Sequence, residues 1–438
     1  MAASRRQPAR QLSNSTGPDA GEKEGRALSP GDGHVRPTAE QELLLRACLL
    51  RDEAGLEAYR EWARRVDVET LDYGSFRMLP LLYRNLQRLG LETSVLDKFK
   101  GAYRQTHYQN KLAFYRVVML LKQLARAEID TLVLKGAALI PLYYGEAGVR
   151  PMMDFDLAVR PEQALAAIKL LERSGWEREP GLPLTPGFIS VHYSWHFKLP
   201  AAAELDLHWY VFDQCCYPNA DAELWKSSVP VEIEGFPTRA LNPTDQLLHT
   251  CVHGAEWDLV PPLRWIADAI TILHRASDQI DWHRLVHQAK ERRLVPATRD
   301  TLTYLRTKLG APVPDAVLSD LRSAPISFIE HLEYRSRMSP PGNFPSLRKI
   351  CFGYLRYRRT AARGYGGLWS VPRYLQARWG ASDLWQLCVT GAHLVKASVR
   401  SRFSRRERGA NVNVASPAIT AGRGAIQRAS PAVMEQGR

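Results

Sequence analysis

Residues 129–160 read IDTLVLKGAALIPLYYGEAGVRPMMDFDLAVR. Thr131 to Leu134 is a short apolar run that stops at Lys135-Gly136, so it reads as a strand running into a glycine turn. Ala137 to Tyr144 has the small and apolar residues of a short helix. Asp154-Phe155-Asp156 then opens a second strand, continued by Leu157 and Val159. Alternate residues of a strand share a face. Asp154 and Asp156 therefore point one way, and Phe155 and Leu157 point into the core. Two carboxylates so placed repel each other. The pattern calls for a cation to offset them, and a hard divalent ion with oxygen ligands is the natural one.

Working outward, Pro161 to Gly175 reads as a helix with proline at its start and glycine at its end. His192 to Leu199 reads as a strand, a Pro-Ala turn follows, and Glu204-Leu205-Asp206-Leu207-His208-Trp209 alternates as its hairpin partner. Glu204, Asp206 and His208 share the polar face. A second acidic strand thus follows the first, and either Glu204 or Asp206 can supply a third carboxylate. Three carboxylates on neighbouring strands suit two-metal phosphoryl transfer, where paired ions clamp the attacking and leaving oxygens. The third acid can also take the nucleophile's proton. At the Lys135-Gly136 turn, backbone amides at a helix start can face a triphosphate. Lys135 and Arg150 can neutralise phosphate charge, or Arg150 can pair with Asp154 or Asp156.

LVLKGAAL, the arginine four residues before DFD, and ELDLHW resemble the nucleotidyltransferase superfamily of DNA polymerase beta-like fold. More closely they are similar to its uncharacterised nucleotidyltransferase family, over about Thr38 to Leu309. The resemblance implies an α+β fold: a small mixed nucleotidyltransferase sheet flanked by helices, with an N-terminal helical bundle and a C-terminal helical lobe. It implies that Asp154, Asp156 and Asp206 are the metal-binding and catalytic carboxylates. Mg²⁺ or Mn²⁺ is the implied cofactor, and Lys135, Gly136, Ala137 and Arg150 surround the nucleotide. The implied reaction moves an NMP from an NTP, ATP being the expected donor, to a hydroxyl or phosphate acceptor, releasing pyrophosphate. Two departures stand out. The superfamily usually has Gly or Ser where Ala137 stands, so one phosphate contact is missing, and the spacing from Gly136 to Asp154 is longer than usual.

The rest of the chain frames this core. Residues 1–37 are rich in Ser, Gly, Pro, Arg and Ala and read as a disordered tail without the apolar core of a signal peptide. Residues 38–127 read as helical, opening with Thr38 and Gln41 as a capping box. The nucleotidyltransferase core spans 128–240. A helical lobe over 241–310 opens on Asn242-Pro243-Thr244-Asp245. His249 and His253 have zinc-binding helical spacing but lack the glutamate of a zinc hydrolase. Arg264 and Asp268 read as a surface pair.

Residues 311–399 form a basic, aromatic helical region, and 400–438 a second disordered tail. The net charge of +13 favours anionic partners. Membrane-surface contact through the basic C-terminal region fits that charge, and no template-binding module is recognisable. Six scattered cysteines fit neither a zinc site nor a disulfide framework and suit a reducing cytoplasm. The competing reading is a non-catalytic nucleotide-binding or scaffold partner in a biosynthetic complex.

Overall fold

The computed structural model describes residues 36–91, 95–178, 182–200, 203–258, 260–340, 345–361, 370–383 and 385–391. The two terminal tails, the Pro-Ala turn at 200–202 and the GYGG segment fall wholly or partly outside these residues. Seven strands form one mixed sheet: β1 (Leu132–Val133), β2 (Phe155–Ala158), β3 (Glu177–Arg178), β4 (Ser194–Leu199), β5 (Ala203–His208), β6 (Val229–Ile233) and β7 (Phe236–Ala240). Their spatial order is β3-β4-β5-β2-β1-β7-β6. The fold is the expected α+β arrangement, a small mixed sheet among helices.

The decisive pairing is β2 with β5. They run parallel, with Asp156 opposite Asp206 and Ala158 opposite His208. Parallel neighbours need a long crossover. Here the crossover contains the helix Ala164–Arg173 and the outer strands β3 and β4. β4 then pairs antiparallel with β5 and sets His196 opposite Asp206. The β6–β7 hairpin, which the sequence reading had not placed, docks β7 parallel to β1. Its turn is Glu234-Gly235, both at positive φ, which suits a tight two-residue hairpin.

Strand alternation sorts the two faces. Phe155, Leu157, Phe197, Leu205 and Leu207 are fully buried. The long helix Val95–Arg126 covers this side, with Phe114 edge-on to Phe155 at 6.5 Å between ring centres. The same helix holds the loop that leads into β2. Buried Asn110 donates to the carbonyls of Ala147 (2.6 Å) and Arg150 (2.8 Å) and accepts from the Met152 amide (3.3 Å).

Several boundaries move relative to the sequence reading. The capping box at Thr38 and Gln41 is present, and so is the Asn242 cap on the helix Pro243–Gly254. The segment after β1 is one α-turn, Lys135–Leu139, followed by a π-turn, Ile140–Tyr144, which ends at Gly145 with φ of 76°. Asp154 lies just ahead of β2 rather than inside it. The Arg264–Asp268 surface pair is a correction. Asp268 is buried, and its carboxylate takes two bonds from Arg150, 2.7 Å to Nε and 2.8 Å to Nη2, and one from the Tyr144 hydroxyl at 2.8 Å. A guanidinium fork fits a carboxylate better than one helical turn of spacing does. This pair fastens the β2 loop to the helical lobe. No helix among the described residues is long and apolar enough to cross a membrane.

Candidate active site

The polar face of β2, β5 and β4 carries Asp156, Asp206, His208 and His196. Asp156, Asp206 and His208 each offer a ligand atom, and these atoms lie within 4.8 Å of one another. Asp156 is 3% exposed. Its Oδ1 accepts from Lys135 Nζ at 2.6 Å and from His208 Nε2 at 3.1 Å. A carboxylate only accepts, so the His208 proton in this bond sits on Nε2. The other ring nitrogen, Nδ1, is buried without a partner.

The charges of the cluster are strongly coupled. Burial pushes the Asp156 carboxyl up, but Lys135 and His208 outweigh it and hold the group well below the usual carboxylate range. Burial would likewise lower the Lys135 ammonium, yet the Asp156 carboxylate raises it above its ordinary value. Asp154 moves the other way. Burial, then repulsion from Asp156 and Asp206, raise its carboxyl against the pull of Lys135. The cation that the sequence pattern demands is thus in part Lys135 itself. Its φ is 43°, the left-handed region that L-residues adopt sparingly.

Asp206 is held from β4, where His196 Nδ1 lies 2.7 Å from its Oδ1. Glu204, the alternative third carboxylate, is half exposed and pairs with Lys198 at 3.2 Å. Sequence reading gave His196 no such link, although the cross-strand register contains the signal.

At the turn, the space a Cβ would need on Gly136 is filled by Arg150 Nη1 and by Met152 Sδ at 2.6 Å. Ala137 is fully buried behind it. Arg150 spends its fork on Asp268; burial would lower the guanidinium's pKa, but the Asp268 charge outweighs it and holds it well above its ordinary value. His249 is buried with its ring stacked on His253, at 6.1 Å between centres, and burial drives its pKa well down.

Two cavities meet at Lys135, His249, His253, Glu256 and Trp257. The smaller, about 190 Å³, is lined by Arg77, Lys135, Arg150, Arg264, Trp257 and Trp265 among others. Arg77 Nε, Trp257 Nε1 and Trp265 Nε1 are buried donors without partners there. Buried donors are normally satisfied, so these three are exceptions carried by residues that line the cavity. The larger cavity, about 340 Å³, runs from Lys135 and His208 to the helices Phe328–Arg337, Pro345–Ala361 and Ser370–Trp379. Arg337 and Arg356 line the cavity and are engaged with Asp213 and Glu333, and Arg337 also with Glu256.

The donor set fits a divalent cation. Asp156 and Asp206 stand in register with His208 close by, and Asp154, just ahead of β2 and outside that group, is raised by burial and then by their charge.

A family model for uncharacterised nucleotidyltransferases matches residues 75–310, and the chain belongs to that family. It is therefore a nucleotidyltransferase by class. Among curated proteins, none matches this chain in sequence. Solved structures are similar at low identity. The antibiotic-resistance factor ANT(2'')-Ia in solution is 16% identical, with 44% of this chain and 98% of that one covered and a TM-score of 0.30. An antigenic nucleotidyltransferase-like protein from Paracoccidioides brasiliensis is 18% identical, with 50% and 94% covered and a TM-score of 0.32. A tRNA-processing enzyme in its apo form is 13% identical, with 60% and 76% covered and a TM-score of 0.21.

Proposed function

We propose that the protein is a metal-dependent nucleotidyltransferase that moves an NMP from an NTP, with ATP the expected donor, to a hydroxyl or phosphate acceptor. The observation that carries this reading is the register of Asp156 against Asp206 across β2 and β5, with Asp154 beside them. Asp154, Asp156 and Asp206 would hold Mg²⁺ or Mn²⁺. When bound, the cation supplies the positive charge that ties the triphosphate to this acidic face and eases departure of pyrophosphate.

The chain's own residues do the rest. Asp206 accepts the proton of an attacking hydroxyl, and His196 keeps its carboxylate oriented. The acceptor oxygen bonds to the α-phosphorus. The bond from that phosphorus to the bridging oxygen breaks, and pyrophosphate leaves with the electron pair. Lys135 sits where the two cavities join and can pass from Asp156 to a phosphate oxygen. Arg77, Arg264 and the two tryptophans line the donor side, beside the turn at Gly136 and Ala137. Arg150 acts there by fixing the turn.

The test uses α-labelled NTPs with Mg²⁺, purified protein and a cell extract as the acceptor source. Labelled product and pyrophosphate are expected from the native chain, and neither from Asp154→Asn, Asp156→Asn or Asp206→Asn. Equal labelling by the variants would overturn the reading. Nucleotide binding without any turnover would favour a non-catalytic role.

A further inference from the structure

The larger cavity is closed by elements that lie beyond the family match, which ends at residue 310. Its wall is not neutral. Asp213, Glu256 and Glu333 engage Arg337 and Arg356, so those five charges nearly cancel. Burial pushes the Asp213 carboxyl up, but Arg337 and Arg356 hold it well below its ordinary range, so the carboxylate stays charged and spent.

Arg348, Lys349 and Arg378 also line the cavity, and among the described residues none of the three lies within ion-pair distance of a carboxylate, while the Lys349 charge adds to the pull on Asp213. Among the described residues, the Arg348 guanidinium reaches the carbonyls of Ser336 and Ser339, and that of Arg378 the Tyr374 hydroxyl at 3.5 Å. His192 lies against Arg378. Its Nε2 bonds the Arg378 carbonyl at 3.0 Å, and burial together with the Arg378 charge lowers its pKa to about 4. Phe352, Tyr193 and Tyr357 supply flat apolar wall between the charges.

The three further cations leave the cavity wall net positive, which repels a cationic acceptor and attracts an anionic one. A phosphomonoester brings close to two negative charges near neutral pH and three oxygens that accept. A carboxylate brings one charge. The cavity's other end opens on His208, whose buried Nδ1 lacks a partner, and on Lys135.

Building on the nucleotidyl-transfer reading, we infer that this cavity is the acceptor subsite and that it takes a phosphorylated small molecule. The phosphate would rest on Arg348, Lys349 and Arg378, and the nucleophilic oxygen would lie at the end lined by Lys135 and by His208, which stands two residues along β5 from Asp206.

Binding is measured by calorimetry on the full chain without NTP or metal. The probes are inorganic phosphate, glycerol 3-phosphate, ribose 5-phosphate and glucose 1-phosphate, set against glycerol, ribose, glucose and glycerate. At least one phosphate compound is expected to bind at least about tenfold more tightly than its neutral and carboxylate counterparts. Lys349→Gln with Arg378→Gln should weaken it by about the same factor, and Lys349→Arg with Arg378→Lys should largely retain it. MgATP affinity should stay unchanged in both. Asp156→Asn should abolish transfer yet still bind the phosphate probe, which separates this inference from the catalytic one. No binding by any phosphate probe, equal binding of neutral or carboxylate probes, or indifference to the glutamine pair would overturn the inference. So would a parallel loss of MgATP binding, since the cavity would then hold the donor.

Discussion

His196 Nδ1 lies 2.7 Å from Asp206 Oδ1, and the two are cross-strand partners in the β4–β5 hairpin. The carboxylate proposed to take the acceptor's proton is therefore aimed by a neighbouring strand and not by its own. His196→Ala should leave the sheet intact and the KM for NTP near its native value. It should lower kcat by about 10- to 100-fold, the usual cost of losing a partner that orients a metal-binding carboxylate. His196→Asn, which can still donate to Asp206, should recover part of the loss. A pH–rate profile would separate positioning from a purely structural role. An unchanged profile with unchanged kcat would remove His196 from the site.

Lys135 and Asp156 form a largely buried ion pair at the heart of the proposed centre, at 2.6 Å. Removing one partner of such a pair leaves an uncompensated charge. Lys135→Met should cost about 3 kcal/mol of stability, while Lys135→Met with Asp156→Asn should cost less than the sum of the two single changes. The Asp156 carboxyl lies below its ordinary value, so its stabilising effect is present above the ordinary carboxylate pKa. That effect fades as pH falls through the depressed value. In Lys135→Met the loss should begin at higher pH. Mn²⁺ should raise the melting temperature of Lys135→Met more than that of the native chain, because the ammonium competes with the ion for one carboxylate. Denaturation curves with and without Mn²⁺ test all three statements.

Arg150 and Asp268 hold the β2 loop to the helical lobe through a bidentate, buried pair. Asp268→Asn or Arg150→Met alone should destabilise by about 3–5 kcal/mol, and Arg150→Met with Asp268→Leu should recover most of that. If the folded double variant binds MgATP with native affinity, Arg150 acts through the turn. A large loss of affinity with stability restored would mean that its charge reaches the phosphates. Calorimetry on the refolded double variant decides between them.

The core of the site was legible because strand alternation is a local rule. Leu157, Leu205 and Leu207 face inward where the pattern put them, and Asp156 and Asp206 share the other face. What the pattern could not give is partner choice across long separations. Lys135 reads as a phosphate ligand in a motif, yet in the fold it meets Asp156, 21 positions along the chain. Asp268 has a plausible local mate in Arg264 and takes Arg150 instead, 118 positions away. The arginines after residue 310 look like a solvated face at helical spacing. Only the return of the chain, with Ser370–Trp379 packed on Pro186–Val191, turns Arg337 and Arg356 into cavity wall.

Asp221 offers a pH test outside the proposed centre. It is 4% exposed, accepts the Val211 amide at 2.7 Å, and has Arg292 Nη1 only at 3.8 Å. Burial outweighs both neighbours and pushes its carboxyl up to about 6 from an ordinary 3.8. A raised carboxyl favours the folded chain fully below the ordinary value, and that contribution drains away as pH rises through the folded one. The displacement corresponds to about 3 kcal/mol. Between pH 4 and 6 the native chain should therefore lose stability on account of this group. Asp221→Asn keeps an oxygen for the Val211 amide and cannot ionise, so it should flatten that part of the curve and be the more stable form at pH 7. Urea titrations at pH 4, 5, 6 and 7 read the slope directly. A native slope that survives Asp221→Asn unchanged would assign the effect to other carboxyls.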